Sequence, residues 1–352
     1  MSSLTYREIK QQYEALRRTF DYMSSRRDDI VRFFRENAAK NAAFVGCGSS
    51  YCLSQSAALS LRLRAGIPSV ALAGGDVMLS PERYATLFED GVLVAPSRSG
   101  STTEVVEAVR LLRSGGRRVP VLALSCVENS PLSAEADLVL ELPWAFDASV
   151  CQTRTVTNLY TANLLIAAFV GGDEALVRDI DAAIAQGDEY MARVEDGVRA
   201  AASFDWNGGV VLADGELQGL AAEGAIALTE IAVLSAHSHH LLDVRHGPMV
   251  GIGPKTLVIA ALNGGGESVR RHQEKLLADL KGRGARVIAF ADRAELIPQA
   301  HVDFAAVAGG PLDPAAQGIP FIFLAQIAAV TAAERRGINP DAPDGLTAWV
   351  KL

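Results

Sequence analysis

Cysteine is scarce in this 352-residue chain, and its four copies, Cys47, Cys52, Cys126 and Cys151, form no C-x-x-C pair. That excludes a disulfide scaffold and a zinc ribbon, and predicts reduced thiols in a cytoplasmic setting. Aromatic residues make up only 6% against 49% apolar residues, which suits stacked α/β layers better than a β-sandwich. Basic residues are outnumbered, 33 to 41, for a net charge of −8. No nucleic-acid or anionic-membrane partner is therefore expected. Long hydrophobic runs are missing too: Leu159 to Val170 is short, is interrupted by Thr161 and Asn163, and reads as a core helix. The opening Met1-Ser2-Ser3-Leu4 has neither the charged nor the apolar region of a leader.

The positive signals begin with alternation. Residues 5–38 place Ile9, Tyr13, Leu16, Phe20, Met23, Ile30, Phe33 and Phe34 at helical spacing, predicting two amphipathic helices. Strands are predicted at 42–45, 69–73, 91–95, 119–124 and 138–142, with helices between several of them, the pitch of a doubly wound parallel sheet. A charged helical stretch over 173–203 follows. A second round then places strands at 210–213, 256–262 and 287–291 and helices at 219–234 and 268–283. The expected division is N-terminal helices over 1–40, a first domain over 41–172, a connector over 173–203, and a second domain with its tail over 204–352.

Two turns stand out in the first round. Val45-Gly46-Cys47-Gly48-Ser49-Ser50-Tyr51 and, about fifty residues later, Ser97-Arg98-Ser99-Gly100-Ser101-Thr102-Thr103-Glu104 each read as a strand running through a hydroxyl-rich turn into a helix. Unpaired amides at a helix start, its dipole and neutral hydroxyls together suit a phosphate. Ser101 to Glu104 also has the pattern of a capping box. The second round repeats the layout at Ala213-Asp214-Gly215-Glu216 and Leu262-Asn263-Gly264-Gly265-Gly266-Glu267, but without the hydroxyls, so one phosphate-competent half is expected.

Chemistry concentrates in Glu223-Gly224-Ala225-Ile226-Ala227-Leu228-Thr229-Glu230 and in Arg245-His246-Gly247-Pro248. Glu223 and Glu230, seven residues apart, share a helical face. A carboxylate and a histidine are the usual pair for moving a proton between sugar carbons and opening the ring. An ordinary solvated helix face and a turn histidine fit the same letters. His237, His239 and His240 cluster without a complete metal-ligand spacing, so a helix-end or subunit-contact role is expected, and neither a metal nor a cofactor.

The two turns, taken with E-G-A-x-x-L-x-E and R-H-G-P, resemble the sugar isomerase (SIS) domain family in its double form, as in the isomerase part of glucosamine-6-phosphate synthase. The resemblance runs from about residue 5 to the end. It implies two tandem α/β SIS domains, each a doubly wound parallel sheet flanked by helices. It further implies a phosphorylated sugar held by Cys47, Gly48, Ser49, Ser50, Ser97, Arg98, Ser99 and Thr102, with Val150 (in the 150–155 segment) and Glu223 lining the pocket. Glu230 would be the proton-transfer base. His246 would assist ring opening, donated across a homodimer interface.

Two departures narrow the chemistry. The lysine that forms a Schiff base in the synthase corresponds to Ala348, with Lys351 three residues on, and the arginine position before it is Asp344. A second lysine, about one turn before the base, is Ala227. Synthase activity is not expected. The implied reaction is proton transfer on a 6-phosphorylated amino sugar with C–N cleavage, releasing ammonia or an amine. The alternatives are an isomerase without cleavage and a non-catalytic sugar-phosphate sensor.

Overall fold

The computed structural model describes residues 2–347. Among these, the chain forms two compact units, one spanning Gln11–Asp181 and the other Ala182–Leu346 together with the residues up to Lys10.

The first unit carries strands β1 (Asn41–Gly46), β2 (Ser69–Ala73), β3 (Gly91–Ser97), β4 (Val121–Ser125) and β5 (Leu138–Glu141). They pair in parallel in the order β2-β1-β3-β4-β5. Every residue of β3 and β4 is buried, as expected for central strands covered on both faces. Sequential strands diverge from β1: β2 lies on one side of it, whereas β3 to β5 extend on the other. The crevice at the C-terminal ends of β1 and β3 is therefore a topological switch point, where open α/β sheets bind ligands. The register, from Asn41 opposite Gly91 to Phe44 opposite Val94, brings the two strand ends to the same edge.

The helix Arg154–Gly171 is buried along almost its whole length and is the core helix that its apolar run implies. Several of its polar residues are bonded to the N-terminal helices, although the buried Asn163 side chain has no hydrogen-bond partner among the described residues. Thr157 Oγ1 donates to Gln12 Oε1 (2.7 Å), and Thr19 Oγ1 donates to Asn158 Oδ1 (2.6 Å). These bonds fix the helix Gln12–Ser25 against it. The N-terminal stretch forms three helical pieces rather than two, Leu4–Lys10, Gln12–Ser25 and Arg27–Glu36.

The second unit contains β6 (Gly208–Leu212), β7 (Ser235–His239), β8 (Thr256–Ala261), β9 (Arg286–Ala291) and β10 (Phe304–Val307). Their parallel order, β10-β9-β8-β6-β7, repeats that of the first sheet with its own switch point between β6 and β8. The tandem α/β architecture is thus present. The helix Gly318–Arg336 is long and apolar enough to cross a membrane by length and composition, but 89% of the window that meets this test is buried in the protein. Its apolar residues lie on all sides, so it lacks the one-sided period that marks a surface helix. The first helix is tied to this unit. Asp341 accepts from the amides of Thr5 (2.7 Å) and Leu4 (2.9 Å), and Glu195 accepts from Tyr6 Oη (2.8 Å) and pairs with Lys10 (2.7 Å).

Candidate functional site

At the end of β1, Gly46 leaves no room for a side chain: a Cβ there would lie 2.6 Å from the Ser50 carbonyl carbon. Gly48 follows with φ +54°, the left-handed region that glycine reaches freely, and the helix Ser49–Ala65 starts immediately after it. A glycine in the N-cap position offers no side chain to occupy the first amides. Ser49 and Ser50 are each only 5% exposed, and among the described residues neither hydroxyl is engaged. Cys47 is turned elsewhere, with Sγ against Gly74 and accepting from the Gly74 and Gly75 amides. Burial, followed by the nearby Glu104 carboxylate, pushes its thiol up, so it stays neutral.

The second turn has its own logic. Gly100 takes φ +59°, and a Cβ there would strike Ser130 Oγ at 2.1 Å. Ser97 Oγ accepts from the Gly100 amide (3.0 Å) and Ser99 Oγ from the Ser101 amide (3.2 Å). A hydroxyl used as an acceptor keeps its proton, so both serines can still donate to an anion. The capping box is not formed. The helix runs from Thr103 to Arg113 with Thr102 as N-cap and no side-chain cap bond, so Glu104 falls one place short of the position a box requires. The Thr102 hydroxyl is consequently available. Arg98 points inward: it is 5% exposed and donates from Nη1 to the carbonyls of Ser149 (3.1 Å) and Val150 (3.0 Å).

In the second unit, the helix Gln218–Ala232 carries both carboxylates, Glu223 buried at 1% exposure and Glu230 half-buried one turn from the helix end. That end is unusual, because Val233 has φ +50°, a region β-branched residues rarely enter. Arg336 Nη1 donates to the Ala232 carbonyl there (2.7 Å). His246 sits in an exposed turn held from both sides. Val244 and Met249 are buried, Arg245 pairs with Asp279 (2.8 Å), and Gly247 turns the chain at φ +127°. Its backbone amide donates to the Asp243 carbonyl (2.8 Å), while its ring makes no hydrogen bond or ion pair among the described residues. Ala227 is buried, so no cation stands one turn before Glu230. Ala348 and Lys351 lie outside the described residues.

Strand β7 is not legible as a strand, because Ser235-Ala236-His237-Ser238-His239 has no large apolar residue. It forms because its edge position leaves one side open to solvent, and it pairs with β6 from Gly208–Ser235 to Leu212–His239. His237 and His239 thus belong to a sheet edge, and His240 Nδ1 lies 3.5 Å from Asp214. No group of three or more His, Cys, Asp or Glu among the described residues could hold a metal ion. A separate cleft of about 440 Å³ opens at the opposite strand ends of the first sheet. Its arginines are already matched, Arg113 to Asp137, Arg117 to Glu82 and Arg118 to Asn37.

Residues 37–168, which contain both hydroxyl-rich turns, match the SIS domain. The chain is 26% identical to a glutamine–fructose-6-phosphate aminotransferase of Shewanella oneidensis over 81% of this chain and 48% of that protein. The chain spans about half the length of the aminotransferases it matches. It is also 26% identical to a Streptomyces coelicolor protein provisionally named D-galactosamine-6-phosphate deaminase AgaS, over 96% of this chain and 91% of that one. A Clostridium novyi structure, provisionally a tagatose-6-phosphate ketose/aldose isomerase, shares the fold with TM-score 0.90 at 22% identity, covering 99% of this chain and 94% of the other.

Proposed function

We propose that this protein is a phosphosugar enzyme that moves a proton between carbons 1 and 2 of a 6-phosphorylated amino sugar and releases its nitrogen as ammonia. One observation carries the reading. At the switch point of the first sheet, two adjacent turns present hydroxyls and helix-start amides that no side chain caps. The full-length match to a protein named for hexosamine-phosphate deamination directs the choice of substrate.

Phosphate capture is assigned to Gly48, Ser49, Ser50, Ser97, Ser99 and Thr102, through neutral donors that tolerate the net charge of −8. His246, with its exposed and unengaged ring, is assigned to ring opening, acting in the site of a second copy of the chain. Glu230 then takes the proton from carbon 2 of the open aldehyde and returns it to carbon 1. The nitrogen is left in an imine at carbon 2, which water hydrolyses to the ketose phosphate and ammonia. No step requires a lysine Schiff base, in keeping with alanine at 227 and 348.

The test is an assay of purified protein against glucosamine 6-phosphate, galactosamine 6-phosphate and fructosamine 6-phosphates, following ammonia, free amine and hexose 6-phosphate. Ammonia with ketose 6-phosphate is the expected result. Amine release from fructosamine phosphates would move the reading to a deglycase. Interconversion of aldose and ketose phosphates without nitrogen release would make it an isomerase. Stabilisation by sugar phosphates with no turnover of any of them would make it a sensor.

A further inference from the structure

We propose that Arg98 is a positioning residue, which couples the 97–102 turn to the loop over 146–153 so that phosphate on the turn fixes the loop that carries Val150. The inference rests on the proposed function for its substrate, but its geometry is independent of it. Arg98 lies between two serines that keep hydroxyl protons for an anion, yet its own guanidinium faces the protein interior. One nitrogen bridges the Ser149 and Val150 carbonyls at 3.1 and 3.0 Å, and the group lies 6.0 Å from the centre of the Phe146 ring.

The loop is closed on itself at its other end. Asp147, 1% exposed, accepts at Oδ2 from the amides of Thr153 (2.7 Å) and Thr155 (2.9 Å), and Thr155 Oγ1 donates to the Ala145 carbonyl (2.6 Å). With its two ends clamped together, the loop is tied to the turn through Arg98. Two carbonyls in a buried setting make the tie costly to break. An ammonium cannot reproduce a planar fork, so lysine is a poor substitute. A shift of the turn on seating a phosphate is thereby passed to Val150, and the arginine acts on the sugar end of the ligand without touching its phosphate.

The test separates this role from direct phosphate contact. In a Glu230→Gln background, which keeps the ligand intact, Arg98→Lys and Arg98→Met are titrated calorimetrically with inorganic phosphate and with glucosamine 6-phosphate. The expected result is an affinity for glucosamine 6-phosphate reduced about tenfold while that for inorganic phosphate stays within about twofold. A parallel loss for both ligands, or no loss for either, overturns the proposal.

A second measurement needs no Arg98 variant: amide hydrogen exchange of the unsubstituted chain with and without inorganic phosphate. Slowed exchange over 146–153 is expected. Protection confined to 46–52 and 97–104 contradicts the coupling. If phosphate protects the loop but no sugar phosphate binds, the proposed function fails and the coupling stands. If phosphate itself does not bind, both fail.

Discussion

The two units share a strand order and a switch point, yet their turns have opposite chemistry. In the first, the turn after β1 ends in Gly48-Ser49-Ser50 and the turn after β3 ends in Ser99 and Thr102, with hydroxyls left to donate. In the second, the corresponding positions hold Asp214 and Glu216 after β6, and Glu267 at the start of the helix after β8. Asp214 and the backbone of Asn263 are also committed. Asp214 accepts from the Leu241 amide (2.9 Å), and Gln273 closes on Asn263 through both of its amide groups (2.8 and 2.9 Å). A carboxylate at the helix start repels the anion that the bare amides would attract. The fold offers the crevice twice, and the side chains open it once. The acid–base groups of the proposed reaction, Glu230 and His246, belong to the second unit.

The largest expected effect breaks the division of labour at its chemical end. Glu230→Gln, removing the base but not the shape, should lower kcat by about 10²–10⁴-fold and leave ligand affinity close to unchanged, as read by steady-state kinetics beside calorimetry. An unchanged kcat would remove Glu230 from the reaction.

Next comes a paired substitution, one in a turn of each unit. Gly46→Ala forces a Cβ to within 2.6 Å of backbone and should destabilise the protein by about 1–3 kcal/mol and cut sugar-phosphate affinity at least about tenfold. Gly264→Ala in the second unit meets nothing closer than 3.6 Å and should change neither. Thermal melts and titrations of the pair would show whether the asymmetry is real.

Smaller losses should follow from Ser49→Ala and Thr102→Val, each about tenfold in sugar-phosphate affinity, from losing one hydrogen bond to a charged group worth roughly 1.5 kcal/mol.

The smallest effect concerns the histidine edge of the second sheet. Burial first, and His237 second, hold His239 below its usual 6.5. The unfolded chain therefore binds the proton more readily than the folded one. His239 contributes its full stability above about 6.5, and this is lost as the pH falls toward the folded value. His239→Gln should narrow the Tm difference between pH 7.5 and 5.5, by about 1–2 °C at most given its partial exposure.

Much of this architecture is legible in the amino-acid sequence. All eight expected strands lie within two residues of their observed bounds at either end, because buried parallel strands are written as short apolar runs between turn residues. What escaped has physical reasons. β7 is an edge strand, where composition need not be apolar, and β10 is an edge strand of only four residues, too short to mark itself. The helix Gly318–Arg336 is buried on all sides and so shows no helical period. The turn residues could be located from the sequence, but not their directions. Nothing in Ser97-Arg98-Ser99 says that the serines keep free protons while the arginine turns inward, nor that Cys47 leans on Gly74. Those outcomes depend on the 146–153 loop and on the Gly74–Leu79 helix, segments distant in sequence from the turns they constrain.

The central claim is that the first unit alone holds the phosphate. It is tested most directly by calorimetric titration of Glu230→Gln protein with glucosamine 6-phosphate, repeated with Ser49→Ala and Thr102→Val added. The account expects one site per chain, weakened by about 10–100-fold in the triple variant. Two sites per chain, or an affinity indifferent to Ser49 and Thr102, would contradict it.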